Sequence, residues 1–328
     1  MTLNPRSDNT ILRLLDNNRL IAAPLAGITT PPFRKMLRDF HDGIIYTEMI
    51  SVEGLIRMGA KTLEYLRLND ADHPVGIQLF GGKPESYPEA VRVAEECSSP
   101  DFYDINMGCP VKKVIKGGSG SALLCDLPRA GKIISALRRA TDKPVTVKIR
   151  LGWDRDSLIY NELIRIAAEE GADAVTLHGR TKTEMFSGVP DYELIADAVA
   201  NSSISVIGNG NVADVESMRR MEQTGCDGIM IGRGLMKMPW IFESLRNGKN
   251  PEGYLSGPQL YELLLKLYDY TEEFAEGKKF IDAYKKYSVW FSKGFHGSSD
   301  FRTRVYKCGD ESSLKKCMKD FFLTSDPV

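Results

Sequence analysis

Apolar residues in this chain fall into two alternating rhythms. The first is a series of short, nearly continuous apolar runs at 20–27, 43–49, 74–81, 102–108, 144–150, 174–180, 205–210 and 228–233. Strands buried on both faces have this composition, which favours a parallel sheet over a half-wetted antiparallel one. The second rhythm fills the gaps with helical spacing. In 127–140, Leu127, Ile133, Ile134 and Leu137 gather near one face, with Pro128 early, where a first helical turn tolerates it. Leu158, Ile159, Leu163, Ile166 and Ala167 repeat the pattern and stop at Gly171, a candidate C-terminal cap. A third segment starts beside Asp214, a candidate N-cap.

Eight strand–helix units in a row fit the roughly 250 residues of a (β/α)8 TIM barrel, an α/β fold. A doubly wound open sheet is the alternative, and the absence of a reversal in the unit order counts against it. After the barrel, residues 248–259 are rich in Gly and Pro, and helical patterning follows to about residue 323. The expected organisation is a barrel over 1–247, a linker over 248–259 and a small all-helical C-terminal domain over 260–328.

Composition narrows the class. The 328 residues are 42% hydrophobic and 27% charged, with a formal net charge of −1, so no global field draws the chain to nucleic acid or membrane. The cysteines at 97, 109, 125, 226, 308 and 317 are scattered with no CxxC pair. That suits reduced cytoplasmic thiols rather than a disulfide framework or a zinc site. The N-terminal stretch lacks the apolar core of a signal peptide or a membrane span. A cytoplasmic protein is expected, and a monomer, since no broad exposed apolar stripe stands out.

In such a barrel the active site gathers at the C-terminal ends of the strands. Those ends carry the unusual polar residues here: Gln78, Asn106, Cys109, Lys148, Arg150, His178, Arg180, Asn209, Asn211 and Arg233. Alternation puts Thr146, Lys148 and Arg150 on one side of their strand. A lysine inside a buried sheet needs an anionic partner or a polar cavity, unless it snorkels to the rim. His178 reads equally well as a hydrogen-bonded support, and Glu48 reads better as a structural one. Gly208, Gly210 and Ala213 match G-x-G-x-x-A, but after the seventh strand rather than the first. A phosphate cradle completed by Arg233 is the better reading. A phosphate there, with Lys148 and Gln78 in the barrel mouth, suggests a phosphorylated cofactor of the length of FMN. Cys109, between Gly108 and Pro110, should face the mouth. The following segment, with Lys112, Lys113 and Lys116 among three glycines, reads as a mobile cationic loop able to close over an anionic substrate.

These motifs together resemble the tRNA-dihydrouridine synthases, most nearly their bacterial DusB-like branch. The matching stretches are APLAGITTPPFR, TEMIS, GIQLFGG, DINMGCPVKKVIKGGSGSALL, VTVKIRLGW, LHGRT, VIGNGNV and IGRGLMKMPWIF, in order over residues 22–242. The segment at 286–302 is also similar, with Tyr287 where the family would have histidine. The resemblance implies an NADPH-reduced FMN that reduces the C5–C6 double bond of a uridine in tRNA, ribosomal RNA being the alternative substrate that the sequence leaves open. Hydride would pass from FMN N5 to C6, and Cys109 would give the proton to C5. It places FMN on Pro24, Leu25 (for the usual methionine) and Ala26. Gln78, Lys148 and His178 would line its polar edge, and Asn209, Gly210, Asn211, Gly232 and Arg233 its phosphate. Asn106, Lys112, Arg180, Lys286 and Arg302 become the expected substrate contacts.

Physical chemistry agrees with that division. A lysine can stabilise an anionic reduced flavin, and a thiol is mostly protonated at neutral pH, as an acid must be. The target base must leave its stack. Between residues 278 and 319 there are 11 Lys or Arg against 4 Asp or Glu. Tyr284, Tyr287, Trp290, Phe291 and Tyr306 are interleaved, and suit RNA stacking or a helical core. The competing readings are a dihydroorotate-dehydrogenase-like FMN barrel, which would not need the basic helical domain, and an RNA-binding protein on a catalytically retired barrel.

Overall fold

The computed structural model describes residues 10–274 and 277–325, with 277–279 described by their backbone alone. Among the described residues, nine parallel strands form one sheet: β1 (Leu20–Ala22), β2 (Ile45–Tyr46), β3 (Ile50–Ser51), β4 (Val75–Phe80), β5 (Phe102–Asn106), β6 (Val145–Arg150), β7 (Ala174–His178), β8 (Ser205–Asn209) and β9 (Gly228–Ile231). Their order is β1-β9-β8-β7-β6-β5-β4-β2, and β3 pairs with the far end of β4. The ring all but closes where Ala22 N donates to Ile44 O at 3.0 Å, ahead of β2. Short β2 and β3 share one place beside β4, so this is an eight-place (β/α)8 barrel. The run at 43–49, expected as one strand, holds only β2, and β3 follows just beyond it. Between them Glu48 turns to accept a hydrogen bond from Gly27 N.

The expected helices form at Leu127–Ala140, Tyr160–Glu169 and Val215–Glu222. Asp126 caps the first, accepting from Arg129 N at 3.1 Å. Leu158 and Ile159 precede the second helix rather than belonging to it, and Leu158 bridges back to Gly152. Gly171 ends that helix region at φ 88°.

The floor of the barrel is a packed core. Ile21, Tyr46, Phe102, Ala174, Ile207 and Met230 meet Ile11 and Leu15 from the helix Thr10–Asn17. All are buried, so the apolar stripe of that helix is matched by strand side chains. Phe102 needs the space that a side chain at its neighbour Gly76 would occupy: a Cβ there would overlap its ring. With the lower barrel filled by side chains, polar chemistry is confined to the upper layers.

The chain divides into two compact units, one of residues 1–30, 42–212 and 216–232, the other of 31–41, 213–215 and 233–328. The second unit holds the helices Gly257–Glu272, Gly277–Phe291, Ser298–Lys307 and Glu311–Phe322. Its segment 31–41 is tied in by Lys35 to Glu273 at 2.8 Å, Lys266 to Asp39 at 2.7 Å, and Phe33 stacked on Tyr287 at 5.9 Å. Within 248–259, expected as linker, Pro251 O accepts from the Trp240 indole at 2.8 Å, and a capping box at Ser256 opens the helix Gly257–Glu272.

Gly76→Ala should cost about 1–3 kcal/mol of stability through overpacking. Urea unfolding of the purified protein measures it, and an unchanged midpoint would contradict the packing described.

Candidate active site

The mouth of the barrel begins one layer above its apolar floor, at Asp104. This residue is fully buried, and sequence reasoning gave it no role. Its strand alternation with Asn106 was the available signal, because two inward polar residues in succession need an interior hydrogen-bond network. Asp104 Oδ2 accepts from Gln78 Nε2 at 2.7 Å, and Oδ1 accepts from Thr146 Oγ1 at 2.6 Å. Burial pushes its carboxyl up to about 6, held there against further rise by Thr146, Gln78 and Lys148.

A second tier stands on this one. Asn106 Nδ2 donates to Gln78 Oε1 at 2.8 Å. Asn106 Oδ1 accepts from Cys109 N at 2.9 Å and Gly108 N at 3.3 Å. The turn that carries the cysteine therefore rests on a chain of side-chain hydrogen bonds rooted inside the barrel. Burial pushes the Cys109 thiol up, and its surroundings, including Arg150 and Lys148, only partly offset this. The thiol is protonated at neutral pH. Lys148, half-buried on β6, donates to Asn209 Oδ1 at 3.0 Å. Burial, then the nearby charge of Arg150, pushes its ammonium down to about 8.

Two buried arginines fix the loops around this layer. Arg150 Nε donates to Gly108 O at 2.8 Å, while Nη1 donates to Thr181 O at 2.9 Å and Met185 O at 2.8 Å. One guanidinium thus joins the cysteine turn to the loop after β7. Burial pushes it down to about 10. Arg180 donates to Ser187 O at 2.8 Å, to Gly188 O, and to Asn211 Oδ1 at 3.1 Å. Its Nη1 lies 3.3 Å from His178 Nε2. Since a guanidinium only donates, Nε2 is the acceptor and the imidazole proton sits on Nδ1. Held in this way, the loop after β7 exposes Met185, Phe186 and Val189.

These contacts revise several expectations. Gln78 and Arg180 are fully buried, and their polar groups hold neighbouring side chains and loop carbonyls. The carboxamide of Asn209 is likewise engaged, donating to Met230 O at 2.7 Å while receiving Lys148. The segment expected as a mobile loop contains the short helix Lys112–Lys116 and a 3-10 segment, Gly120–Cys125. It returns to the cysteine, with Ser121 N donating to Cys109 O at 3.0 Å. Lys112 is exposed upon it. Pro24 and Leu25 are half-buried and Ala26 is exposed, on the turn after β1.

Beyond β8, Gly210 has a φ of 142°, and a Cβ there would sit 2.7 Å from Pro190 Cγ and 3.3 Å from His178 Cδ2. Only glycine lets the backbone pass so close to the imidazole. Gly232 follows β9, where a Cβ would find only Ala23 Cβ, at 3.9 Å. Arg233 comes next in sequence, is exposed, and begins the C-terminal stretch of the second unit.

In that second unit the interleaved aromatics take the helical-core reading for the most part. Tyr284, Tyr287 and Phe291 are buried, Tyr287 between Phe33 and Trp290. Their helical spacing points them inward, and of the five aromatics only Tyr306, 61% exposed, is open. Lys286 lies over the rings of Tyr287 and Trp290 at 5.1 and 5.0 Å. Arg302 is exposed and belongs with Lys237 and Lys293 to a cationic patch; after partial burial, these two neighbours push the Lys293 ammonium down. Among the described residues no helix is long and apolar enough to cross a membrane.

A parallel barrel with a thiol, a lysine and buried arginines at its strand ends defines an enzyme built on the (β/α)8 plan. Residues 20–325 match the family model for "Dihydrouridine synthase (Dus)". The tRNA-dihydrouridine synthase B of Pseudomonas aeruginosa is 35% identical over 313 residues, spanning 93% of each chain. A probable tRNA-dihydrouridine synthase of Rickettsia prowazekii is 31% identical over 314 residues, 94% of this chain and 95% of that one. Among solved structures, histamine dehydrogenase from Rhizobium sp. 4-9 superposes with a TM-score of 0.53 at 14% identity, over 77% of this chain and 49% of that longer one, a likeness of fold alone. The chain belongs to the dihydrouridine synthase family.

Arg150→Met would strand three carbonyls at once, and about 2–4 kcal/mol of stability should be lost. Hydrogen exchange followed by mass spectrometry should quicken together at 108–110 and 181–189. Faster exchange in one segment only would break the link between the loops.

Proposed function

We propose that this enzyme reduces the C5–C6 double bond of uridines in tRNA, with FMN as the resident cofactor and NADPH as its reductant, acting in the cytoplasm as a monomer. The single observation that carries the reading is the Cys109 turn. A thiol kept protonated by burial sits on a backbone held from below by Asn106 and from the side by Arg150, in the same polar layer as a charged lysine. A general acid needs its proton and a fixed place, and this one has both. The relatives matched along almost the whole chain are tRNA-dihydrouridine synthases, which supports tRNA as the substrate.

The residues fit the cofactor. Lys148 offers an ammonium to an anionic ring, the turn at Pro24, Leu25 and Ala26 offers a partly open apolar floor, and His178 borders Gly210. The backbone at Gly210, Asn211 and Gly232, with Arg233, would take the phosphate. Asn209 would serve by steadying Lys148, and Gln78 by steadying Asn106. When bound, the flavin supplies the hydride. The protein's part is to orient the base through Asn106 and Lys112, deliver a proton from Cys109 Sγ to C5, and keep Lys148 charged. The cationic patch of Lys237, Lys293 and Arg302, with Lys286, would meet RNA phosphates, a sequence-independent attraction that salt screens.

The direct test incubates unmodified tRNA transcripts with the protein, FMN and NADPH, and counts dihydrouridine by mass spectrometry. Wild type should form it, and Cys109→Ala should be slower by about 100-fold or more while retaining flavin. No dihydrouridine from wild type, or an undiminished rate from Cys109→Ala, would overturn the reading.

Lys148 gives a pH signature. Its ammonium is charged below about pH 8 and loses the charge above it. Affinity for FMN, read from flavin fluorescence, should weaken as pH rises through that value, and Lys148→Met should bind more weakly with no inflection there. In the second unit, Lys293→Glu with Arg302→Glu should raise KM for tRNA about tenfold or more and flatten its salt dependence, with FMN affinity unchanged.

A further inference from the structure

Three side chains beneath the cysteine form a chain in which the direction of every hydrogen bond matters. Asp104 and Gln78 are fully buried, and Asn106 is 7% exposed, so water does not stand in for a lost partner. The two amides are nearly symmetric in shape. Turning either one end for end exchanges a donor for an acceptor without moving an atom into a clash. Packing alone therefore does not decide which way they face. Only the groups at the two ends of the chain can.

At the upper end stand backbone N–H groups of Gly108 and Cys109, which only donate and so require the oxygen of Asn106. At the lower end stands a carboxylate, which at neutral pH only accepts. We infer that Asp104 is the positioning residue of this active site: as a buried pure acceptor it fixes the facing of Gln78 and Asn106, and through them the backbone that carries Cys109. The inference deepens the proposed function, on which the role of Cys109 rests.

The bonds agree link by link. Asp104 Oδ2 takes Gln78 Nε2, which leaves Gln78 Oε1 toward Asn106. Gln78 Oε1 takes Asn106 Nδ2, which leaves Asn106 Oδ1 toward the turn. Thr146 Oγ1 fills the other carboxylate oxygen. A hydroxyl both donates and accepts, so Thr146 can adapt to an amide at position 104. Asp104→Asn alone is therefore expected to be mild. The sharp probe is Gln78→Glu, which sets a carboxylate against a carboxylate with no donor between them.

The charge can then be moved back. In the Gln78→Glu, Asp104→Asn double variant, the amide nitrogen introduced at position 104 donates to the carboxylate at position 78, whose other oxygen still accepts from Asn106 Nδ2. Net charge and the polarity of the chain are both restored, with the carboxylate one place nearer the cysteine.

The experiment reads backbone amide exchange at Gly108 and Cys109 by NMR in flavin-free protein, with alkylation of Cys109 resolved by peptide mapping from the exposed Cys97 and Cys125. Gln78→Glu should speed exchange at both amides about tenfold or more and raise alkylation of Cys109 several-fold. The double variant should return both to within about twofold of wild type. Rescue by a second substitution is something a merely space-filling role would not produce. Asn106→Asp, alone and with Asp104→Asn, repeats the test one link higher. Where a single variant gives no folded protein, recovery of soluble yield in the double variant is the rescue read instead. Failure of the double variants to recover exchange or yield, or a Gln78→Glu protein indistinguishable from wild type, overturns the inference. The readouts use neither flavin nor RNA. Failure of the tRNA assay would thus sink the proposed activity while leaving the Asp104 chain standing, and the converse also holds.

Discussion

A carboxylate shut inside a barrel must be answered by donors, and the way Asp104 is answered shapes everything above it. In water an Asp side chain would be hydrated from all sides; here Gln78 and Thr146 take the place of that water. An ion without them would cost several kcal/mol and would simply protonate. Because both donors come from neighbouring strands, the parallel register of β4, β5 and β6 is what brings them into reach. The apolar floor below and the polar mouth above meet at this residue.

The two buried arginines apply the same logic to loops. A loop cannot satisfy its own carbonyls as a helix or strand does, and a buried carbonyl without a donor is costly. Arg150 and Arg180 supply donors from β6 and from the residue pair after β7, gathering the cysteine turn and the following loop around fixed points. Guanidinium suits this task because its donors fan out in one rigid plane and stay charged even when burial depresses the pKa. Lys148, whose ammonium is more easily neutralised, is the cation of this layer that responds to pH.

The second unit separates two properties that the sequence interleaves. Its aromatics pack on each other and on Phe33, while most of its described lysines and arginines, the buried Arg34 apart, stay nearer the surface. Net charge near zero for the whole chain is therefore compatible with a locally cationic patch, because the balancing acidic residues lie elsewhere.

Patterning along the chain was enough to reach the barrel, since eight apolar runs spaced by helical segments leave few other ways to bury both faces of a sheet. It also marked the strand ends where Cys109, Lys148, His178 and Asn209 stand, because period-two alternation tells which side chains point inward. Alternation cannot tell how deep an inward residue lies or what it meets. That Gln78 meets Asp104, that Arg180 holds the loop after β7, that Asp104 underlies the site, and that Tyr287 packs on Phe33 emerged only in three dimensions. Each of those outcomes depends on a partner from a distant part of the chain: Gln78 for Asp104, Asn211 for Arg180, Phe33 for Tyr287. Local patterning carries no record of such pairings, and only the closed sheet and the packed helices bring them together.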